Sequence, residues 1–372
     1  MNARDRQPEA QAEAVSAGHA GEPRLAPPAA GRPNSGVPTA ALLTPPGRGA
    51  VAVIRLIGPP TLCDAAFAAA NGRPASAQPL DRTAFGLWGS KPDENRPGEE
   101  LIVVRTAEGE TEIHCHGGLA AVEGVFADLT AAGATRVSWE EQERDRAGIL
   151  QAELSAALAA APTVRCAGII LDQASGTLAE GLSDPSQHAA MRERIEFGRH
   201  LTQPWLVVIA GPPNAGKSSL LNAIAGYSRA IVSPTAGTTR DAVGVTVAIE
   251  GWPVRLTDTA GLRETLDPLE AAGVAKARET LAEADAVIQV ADGTDPGDLD
   301  AVLPHPRRLR VWNKIDLSTA GPVPAGWRGV SAETGEGLKE LSAALSRLLV
   351  PAPPPPGTPV PLTNRQASMI GG

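Results

Sequence analysis

The sequence predicts an α/β protein in which a mostly parallel sheet, with helices on both faces, follows a smaller α+β domain and a helical segment. In residues 203–350, apolar runs rich in β-branched residues alternate with stretches of helical periodicity, which is typical of parallel sheets. Residues 39–139 instead contain several strand-like runs and one long helical run. Between these regions, residues 140–202 space apolar residues at i, i+3 and i+4, which predicts two or three helices.

Both ends of the chain are predicted to lie outside these domains. Residues 1–38 mix Ala, Pro, Gly and charged residues without hydrophobic periodicity, so we predict a disordered tail. Residues 351–372 begin with a run of prolines that is typical of a stiff spacer. We therefore expect a Pro-rich C-terminal tail without another helix or strand.

Composition limits the classes of function. The formal net charge of -9 argues against general attraction to nucleic acid, so any RNA contact needs a local patch or a partner. Cys63, Cys115 and Cys166 are far apart and odd in number, which indicates a reducing compartment without disulfides or a zinc site. No apolar run approaches the roughly 20 residues of a membrane span. The N-terminus lacks a signal core, so we expect a cytoplasmic protein.

Local patterns predict the individual elements. The α+β domain is predicted to contain strands Ala50–Ile57, Ala84–Trp88, Leu101–Arg105, Thr111–His116 and Arg136–Trp139, with helices Leu62–Ala70 and Leu119–Ala131. The parallel-sheet domain is predicted to contain strands Trp205–Ala210, Val243–Ile249, Val254–Asp258, Ala286–Ala291, Leu309–Asn313 and Gly329–Ser331, with helices Lys217–Ala225, Leu269–Ala282 and Leu338–Leu349.

His114, Cys115 and His116 suggest a metal site, but strand geometry disfavours it. Alternate residues of a strand point to opposite faces, so Cys115 cannot join both histidines at one ion. We favour packing at the strand end before the Gly117-Gly118 turn.

The most informative stretch is Gly211-Pro-Pro-Asn-Ala-Gly-Lys-Ser218, which has the G-x-x-x-x-G-K-[ST] spacing between a predicted strand and a predicted helix. Its glycines let backbone N–H groups converge on phosphate oxygens at a helix N-terminus. Lys217 would reach the β- and γ-phosphates, and the Ser218 hydroxyl would bind Mg²⁺. A chance Gly-rich turn is the disfavoured alternative. The predicted nucleotide contacts of this loop are Asn214, Ala215, Gly216, Lys217, Ser218 and Ser219.

Two further motifs supply groups for the phosphates and the metal ion. The loop Gly237-Thr-Thr-Arg-Asp241 offers Thr238 to the nucleotide and the Thr239 hydroxyl to Mg²⁺. In Asp258-Thr-Ala-Gly261, the aspartate ends a strand and can hold the Mg²⁺ shell. The Gly261 N–H can face the γ-phosphate without a side chain in the way.

The last two motifs predict recognition of guanine. Asn313-Lys-Ile-Asp316 ends in a carboxylate that accepts both N1–H and the N2 amino group of guanine, a donor pair that adenine lacks. Alone, this motif is an ordinary turn, but here it follows the phosphate motifs in order. We therefore predict GTP binding. The last motif is Ser331-Ala-Glu333. The predicted nucleotide contacts of these two motifs are Asn313, Lys314, Asp316, Ser331 and Ala332.

These residues resemble the TRAFAC-class GTPases, and within them the TrmE (MnmE) family of tRNA-modification GTPases. Asn214 stands where the family has a potassium ligand, and Asp258–Glu270 resembles its second switch. Thr44–Arg55 and Glu112–Gly118 resemble motifs of its folate-binding, dimerising N-terminal domain. The resemblance implies a P-loop GTPase domain behind an N-terminal α+β domain and a partial helical domain.

The resemblance also implies a mechanism. Leu262 occupies the place where Ras-like enzymes orient water with Gln, and the family instead uses the position of Glu270, acting through a bridging water. A solvated charge at a helix start is the alternative for Glu270. A K⁺ ion held by Asn214, Ser233 and Thr235 takes the place of an arginine finger. Asn214 would otherwise brace its loop by hydrogen bonding.

Partners are implied in the same way: tRNA, a flavin-dependent partner protein, a second copy of the chain, and a reduced folate with Arg48 and Arg55 as contacts. Ser138–Gln142 replaces the family's Pro-Gly-Glu-Phe stretch, and no Cys-Ile-Gly-Lys motif follows Leu362–Gln366. We expect a divergent, C-terminally truncated member. The alternatives are a ribosome-assembly GTPase, a nucleotide-binding regulator without turnover, and a folate-binding protein.

Overall fold

Two seven-stranded sheets form the frame of the part of the chain that the structure describes. The computed structural model describes residues 36–45, 49–89, 98–230, 244–258, 281–295 and 305–371. No helix within these ranges is long and apolar enough to cross a membrane.

The first sheet belongs to the N-terminal region. Its strands are β1 Thr39–Leu42, β2 Val51–Ile57, β3 Phe67–Ala69, β4 Thr83–Trp88, β5 Glu99–Ala107, β6 Glu110–His116 and β7 Thr135–Arg136, in the order β3-β4-β5-β6-β2-β1-β7. Helix α1, Leu119–Ala131, buries Val125 and Leu129 in the same core as Ile54 and Ile113. The alternating strands and α1 match their predictions, because each has a clear period of its own.

Two local predictions in this region are wrong. Residues 62–70 do not form a helix: Pro60–Cys63 is a 3₁₀ turn, and β3 pairs with β4. Pairing buries Phe67 beside Trp88, with ring centroids 6.5 Å apart, so tertiary contacts override local helix propensity. The strand predicted to reach Trp139 ends at Arg136, because Ser138 and Glu141 form a capping box that starts a helix.

The strand alternation expected at His114-Cys115-His116 is present. Cys115 is buried, while His114 lies 3.1 Å from Glu112 and His116 lies 2.6 Å from Glu99. The histidines therefore contact carboxylates at the strand surface.

A helical layer links the sheets. It consists of α2 Trp139–Ala147, α3 Ile149–Ala159, α4 Val164–Asp172, α5 Leu178–Ser183, α6 His188–Arg192 and α7 Ile195–Arg199. The prediction of two or three helices is thus too low. Three of the five breaks fall at Gly148 and Gly176, which have φ of 88° and 121°, and at Pro185.

The second sheet contains the predicted nucleotide region. Its strands are β8 Trp205–Ala210, β9 Arg229–Ala230, β10 Val245–Ile249, β11 Trp252–Asp258, β12 Ala286–Asp292, β13 Arg308–Asn313 and β14 Arg328–Val330, in the order β14-β13-β12-β8-β11-β10-β9. The strands from β14 to β11 are parallel, and β10 and β9 are antiparallel to their neighbours. Helices α8 Lys217–Tyr227 and α9 Leu338–Leu349 match their predictions.

Strand β9 is absent from our prediction, because two residues are too few to show a period. The predicted helix Leu269–Ala282 lies almost wholly outside the described residues.

The prediction of no further element after residue 351 is wrong. Helix α10, Asn364–Met369, starts at a capping box made by Thr363 and Gln366. The segment before it buries Val360 and Leu362 in the core shared by the helical layer and the second sheet. Such isolated apolar residues show no period in sequence, and only the layer they pack against reveals their role.

Candidate nucleotide-binding site

The predicted phosphate loop lies between β8 and α8. Gly216 adopts a left-handed conformation, with φ of 82°, at the residue before the helix. Asn214 also has positive φ, at 62°. At Gly211, a Cβ would lie 2.2 Å from the carbonyl oxygen of Val290 on β12, so only glycine fits beside that strand. The loop is therefore set by its backbone and by packing against the sheet.

Lys217 begins α8, and its Nζ donates to the Pro212 carbonyl oxygen at 2.9 Å. The ammonium group thus lies over the phosphate loop and binds its backbone at the place where phosphate would bind. A polyphosphate in this loop offers Lys217 a stronger, charge-assisted partner than a carbonyl.

A hydroxyl and a carboxylate meet beside this loop. Ser218 Oγ donates to Asp258 Oδ2 at 2.5 Å. Asp258 is the last residue of β11, which lies next to β8, and it is buried. Magnesium prefers hard oxygen ligands and takes one or two from a protein beside nucleotide phosphates. This oxygen pair fits such a site.

Asn313 connects the phosphate loop with the predicted base-binding loop. Its Nδ2 donates to the Ala215 carbonyl oxygen at 3.0 Å, and its Oδ1 accepts from the Ala332 N–H at 3.2 Å. The side chain is buried, and a Cβ on Gly216 would lie 2.3 Å from its Nδ2. Asn313 therefore positions both loops, because its Nδ2 and its Oδ1 each bind a backbone group.

Two further predicted nucleotide contacts flank this bridge. Ser331 is fully buried, and its Oγ accepts from the Thr334 N–H at 3.0 Å, which shapes the loop after β14. Asp316 lies exposed in the turn after β13. Its carboxylate is accessible to a ligand at the same edge of the sheet.

Asp292 is a site residue that sequence reasoning missed. Its Oδ2 accepts from Lys314 Nζ at 2.5 Å, and its Oδ1 accepts from the Thr294 hydroxyl at 2.7 Å. Burial opposes ionisation, but the hydrogen bonds from Lys314 and Thr294 outweigh it and lower the pKa of Asp292. The available signal was its position as an acidic residue at the end of an apolar strand beside β8.

Comparison with known proteins places the chain in a family. A family model described as 50S ribosome-binding GTPase matches residues 206–314. The tRNA modification GTPase MnmE of Symbiobacterium thermophilum is 34% identical over 83% of this chain and 82% of that protein. The MnmE of Gluconacetobacter diazotrophicus is 36% identical over 84% of this chain and 82% of that protein. The chain belongs to the MnmE family.

Membership of the MnmE family, with the matched GTPase model, confirms the predicted family and fold class. The protein binds GTP with Mg²⁺ and hydrolyses it. Among solved structures, the G domain of the T. maritima FeoB iron transporter is 26% identical and covers 39% of this chain and 99% of that domain, with a TM-score of 0.30.

Several predicted site residues of this MnmE-family chain fall outside the described residues. They are Thr238, Thr239, Gly261, Glu270, Ser233 and Thr235, together with Leu262 and Arg48. Among the described site residues, the structure brings Lys217, Ser218, Asp258 and the Asn313 bridge to one edge of the second sheet.

Arg55 forms a buried ion pair, so its predicted contact with an acidic ligand is wrong. It was expected to contact an acidic ligand, yet its Nε donates to Gln142 at 2.7 Å and its Nη2 lies 3.2 Å from Glu143. The ion pair is buried, so a ligand carboxylate would have to displace Glu143 and leave that charge unpaired. Arg55 joins the first sheet to α2.

Proposed function

We propose that this MnmE-family GTPase uses a K⁺-stimulated hydrolysis cycle to drive tRNA modification. The observation that carries the proposal is the 2.5 Å contact between Ser218 Oγ and Asp258 Oδ2 at the start of α8, where a magnesium-bound triphosphate would lie. Mg²⁺ would be held by Ser218, Asp258 and Thr239, and it would neutralise charge that develops on the phosphates. Lys217 would exchange its contact with Pro212 for phosphate oxygens.

Potassium binding by Asn214 is supported by its surroundings. Asn214 is exposed, and its side chain makes no hydrogen bond to the described residues. The alternative, in which it braces the loop, therefore lacks a partner in this part of the chain. Ser233 and Thr235 would complete the ion's shell. The cation would supply up to roughly the 10³–10⁵-fold acceleration of an arginine finger.

Hydrolysis also needs a group that orients water, and we assign this role to Glu270. Leu262 cannot polarise a water molecule. A carboxylate that acts through a bridging water contributes typically 10²–10⁴-fold. Gly261 would hold the γ-phosphate through its N–H.

The test is GTP turnover in KCl against NaCl, for the wild type and for Asn214→Ala and Glu270→Ala. We expect faster turnover in KCl, loss of that difference in Asn214→Ala, and slow turnover in both salts with near-normal GTP affinity in Glu270→Ala. Equal wild-type rates in the two salts would contradict the role of potassium. A normal rate for Glu270→Ala would assign the water to another group.

The domains and partners complete the proposal. We infer an N-terminal domain at 39–139, a helical domain that combines 140–202 with the segment around α10, and a G domain at 203–350. Relatives of this family are named for tRNA modification. Binding of tRNA and of a flavin-dependent partner protein would be tested by co-purification with the GTP-bound and GDP-bound chain, and light scattering in the two states would test for a dimer.

A reduced folate cannot use Arg55 as its cation, because Glu143 already pairs with Arg55. Arg48 then remains as the proposed cation for a folate carboxylate. Calorimetry with a reduced folate should show heat that Arg48→Ala removes. Absence of heat in the wild type would exclude folate.

A further inference from the structure

Three side chains outside the nucleotide site converge where the helical layer meets the second sheet. Glu196 lies on α7, His200 directly follows this helix, and Asp285 directly precedes β12. One ligand atom from each lies within 4.8 Å of the others. His200 Nε2 and Asp285 Oδ1 are 3.4 Å apart.

His200 and Asp285 each use one polar atom to bind the backbone. The other polar atom of each side chain, His200 Nε2 or Asp285 Oδ1, faces the cluster. His200 Nδ1 lies 3.2 Å from the Gln203 carbonyl oxygen, which only accepts, so Nδ1 carries the hydrogen. Asp285 Oδ2 accepts from the Leu206 N–H at 2.6 Å. The imidazole ring also stacks on Trp205, with centroids 3.5 Å apart. Metal-binding histidines and carboxylates are oriented by partners of this kind.

This orientation of His200 and Asp285 favours a positive charge between their facing atoms. In a neutral imidazole with the hydrogen on Nδ1, Nε2 carries a lone pair, and here it faces a carboxylate oxygen. Two acceptors at 3.4 Å repel unless a positive charge lies between them.

The third ligand borders a cavity. Glu196 Oε1 lies 3.1 Å from Arg307 Nη1, which leaves Oε2 available. Glu196, Arg307 and Trp205 line a cavity of about 330 Å³ with the segment 351–355. Trp205 Nε1 is buried and has no hydrogen-bond partner among the described residues.

We propose that Glu196, His200 and Asp285 bind a divalent transition-metal ion that links the helical layer to the second sheet. Zinc bonds of about 2.0–2.1 Å place tetrahedral ligands about 3.3 Å apart, which matches the His200–Asp285 distance. One imidazole with two carboxylates suits Zn²⁺, Co²⁺ or Mn²⁺, whereas Mg²⁺ and Ca²⁺ prefer oxygen alone. With three protein ligands, a position remains for water.

The test uses the full chain without an affinity tag, saturated with GDP and Mg²⁺ so that the nucleotide site is filled. Titration with Co²⁺, followed by its visible ligand-field absorption, should show one site, and Zn²⁺ should displace the colour. His200→Gln and Asp285→Asn should each weaken binding at least tenfold. His188→Gln is the matched control, because His188 is another half-buried histidine of the helical layer, with Nε2 3.2 Å from a carbonyl oxygen. It should bind Co²⁺ like the wild type.

The alternative is a proton on Nε2, which makes an ordinary ion pair with Asp285. No Co²⁺ site in the wild type at 100-fold excess of metal, or equal affinity in His200→Gln, would overturn the proposal in favour of that ion pair. A second measurement needs only the wild type, so its result does not depend on whether the variants fold. Paramagnetic broadening by Co²⁺ in amide NMR spectra should centre on residues 196–206 and 284–286, and broadening centred on His114 and His116 would also overturn it.

Discussion

At the scale of single residues, Asn313 shows how one side chain can position two loops of a site at once. Both ends of its amide are bound to backbone groups of two loops, Ala215 and Ala332. The sequence motif predicted Asn313 as a nucleotide contact, and that stays a prediction. It could not predict the bridge, because the distance between the loops is set by the sheet and is invisible in the motif.

Replacement of Asn313 should loosen both loops. Asn313→Ala leaves the buried Ala215 carbonyl and the partly buried Ala332 N–H without this partner, which costs about 1–3 kcal/mol. We expect the affinity for fluorescent GDP to fall roughly 5- to 150-fold. Asn71→Ala is the control, because Asn71 makes comparable hydrogen bonds with Gln78 in the first sheet's region. An affinity of Asn313→Ala within twofold of the wild type would show that the bridge is dispensable.

Asp316 should determine which base is bound. Its exposed carboxylate follows β13 at the nucleotide edge of the sheet. Asp316→Asn replaces one acceptor oxygen by a donor, which fits xanthine better than guanine. Competition binding should show preference shifting from GTP toward XTP, while Glu333→Gln, a change in the neighbouring loop, should leave it unaltered. Unchanged selectivity in Asp316→Asn would place base recognition elsewhere.

At the scale of elements, the segment leading into α10 is bound closely to the helical layer. Gln173 donates to the Thr358 carbonyl oxygen at 3.1 Å and accepts from the Val360 N–H at 2.9 Å. Glu153 accepts two hydrogen bonds from Arg365. Elements with strong periods of their own, such as α1 and α9, could be predicted from sequence. This segment could not, because its structure depends on partners far away in the chain.

A glycine on α7 makes this contact possible. A Cβ at Gly198 would lie 1.8 Å from the Pro361 carbonyl oxygen, so Gly198→Ala must push the segment away. We expect faster hydrogen exchange in residues 357–371 and a loss of about 1–3 kcal/mol in the free energy of unfolding. Gly168→Ala is a matched control on α4, where no atom lies within 4 Å of the added methyl group.

Gly168→Ala should be neutral or stabilise the protein by up to about 1 kcal/mol, through helix propensity alone. Equal exchange rates near α10 in the two variants would mean that the segment is not fixed by its contact with α7.

At the scale of the whole molecule, the cysteines report on packing. Burial, and then the charge of Asp64, raises the pKa of Cys63 to about 12. Burial, and then Glu99, raises the pKa of Cys115 to about 11. Burial also raises the pKa of Cys166. The spacing of these residues predicted the absence of a disulfide, and all three are free and buried. Their burial could not be deduced from spacing.

We therefore expect iodoacetamide at pH 8 to leave the native protein unlabelled, because the thiolate is the reactive form. Labelling should rise only with unfolding in guanidinium. The same shifts predict the pH dependence of stability. A thiol with a raised folded-state pKa stabilises the fold fully below the unfolded value of about 8.5, and this contribution is lost as pH rises toward 11 and 12. Rapid labelling without denaturant would show that a core opens readily.

The contact between Gln173 and the chain 185 residues later has a consequence for biosynthesis. A ribosome makes the helices α3 to α7 first, then the entire nucleotide-binding sheet, and only afterwards the residues that cover Gln173. Until those residues emerge, the Gln173 amide must remain in contact with water. Gln173 can therefore be buried only after residues 358–360 have been synthesised. The delay is the time that the ribosome needs to translate the GTPase domain.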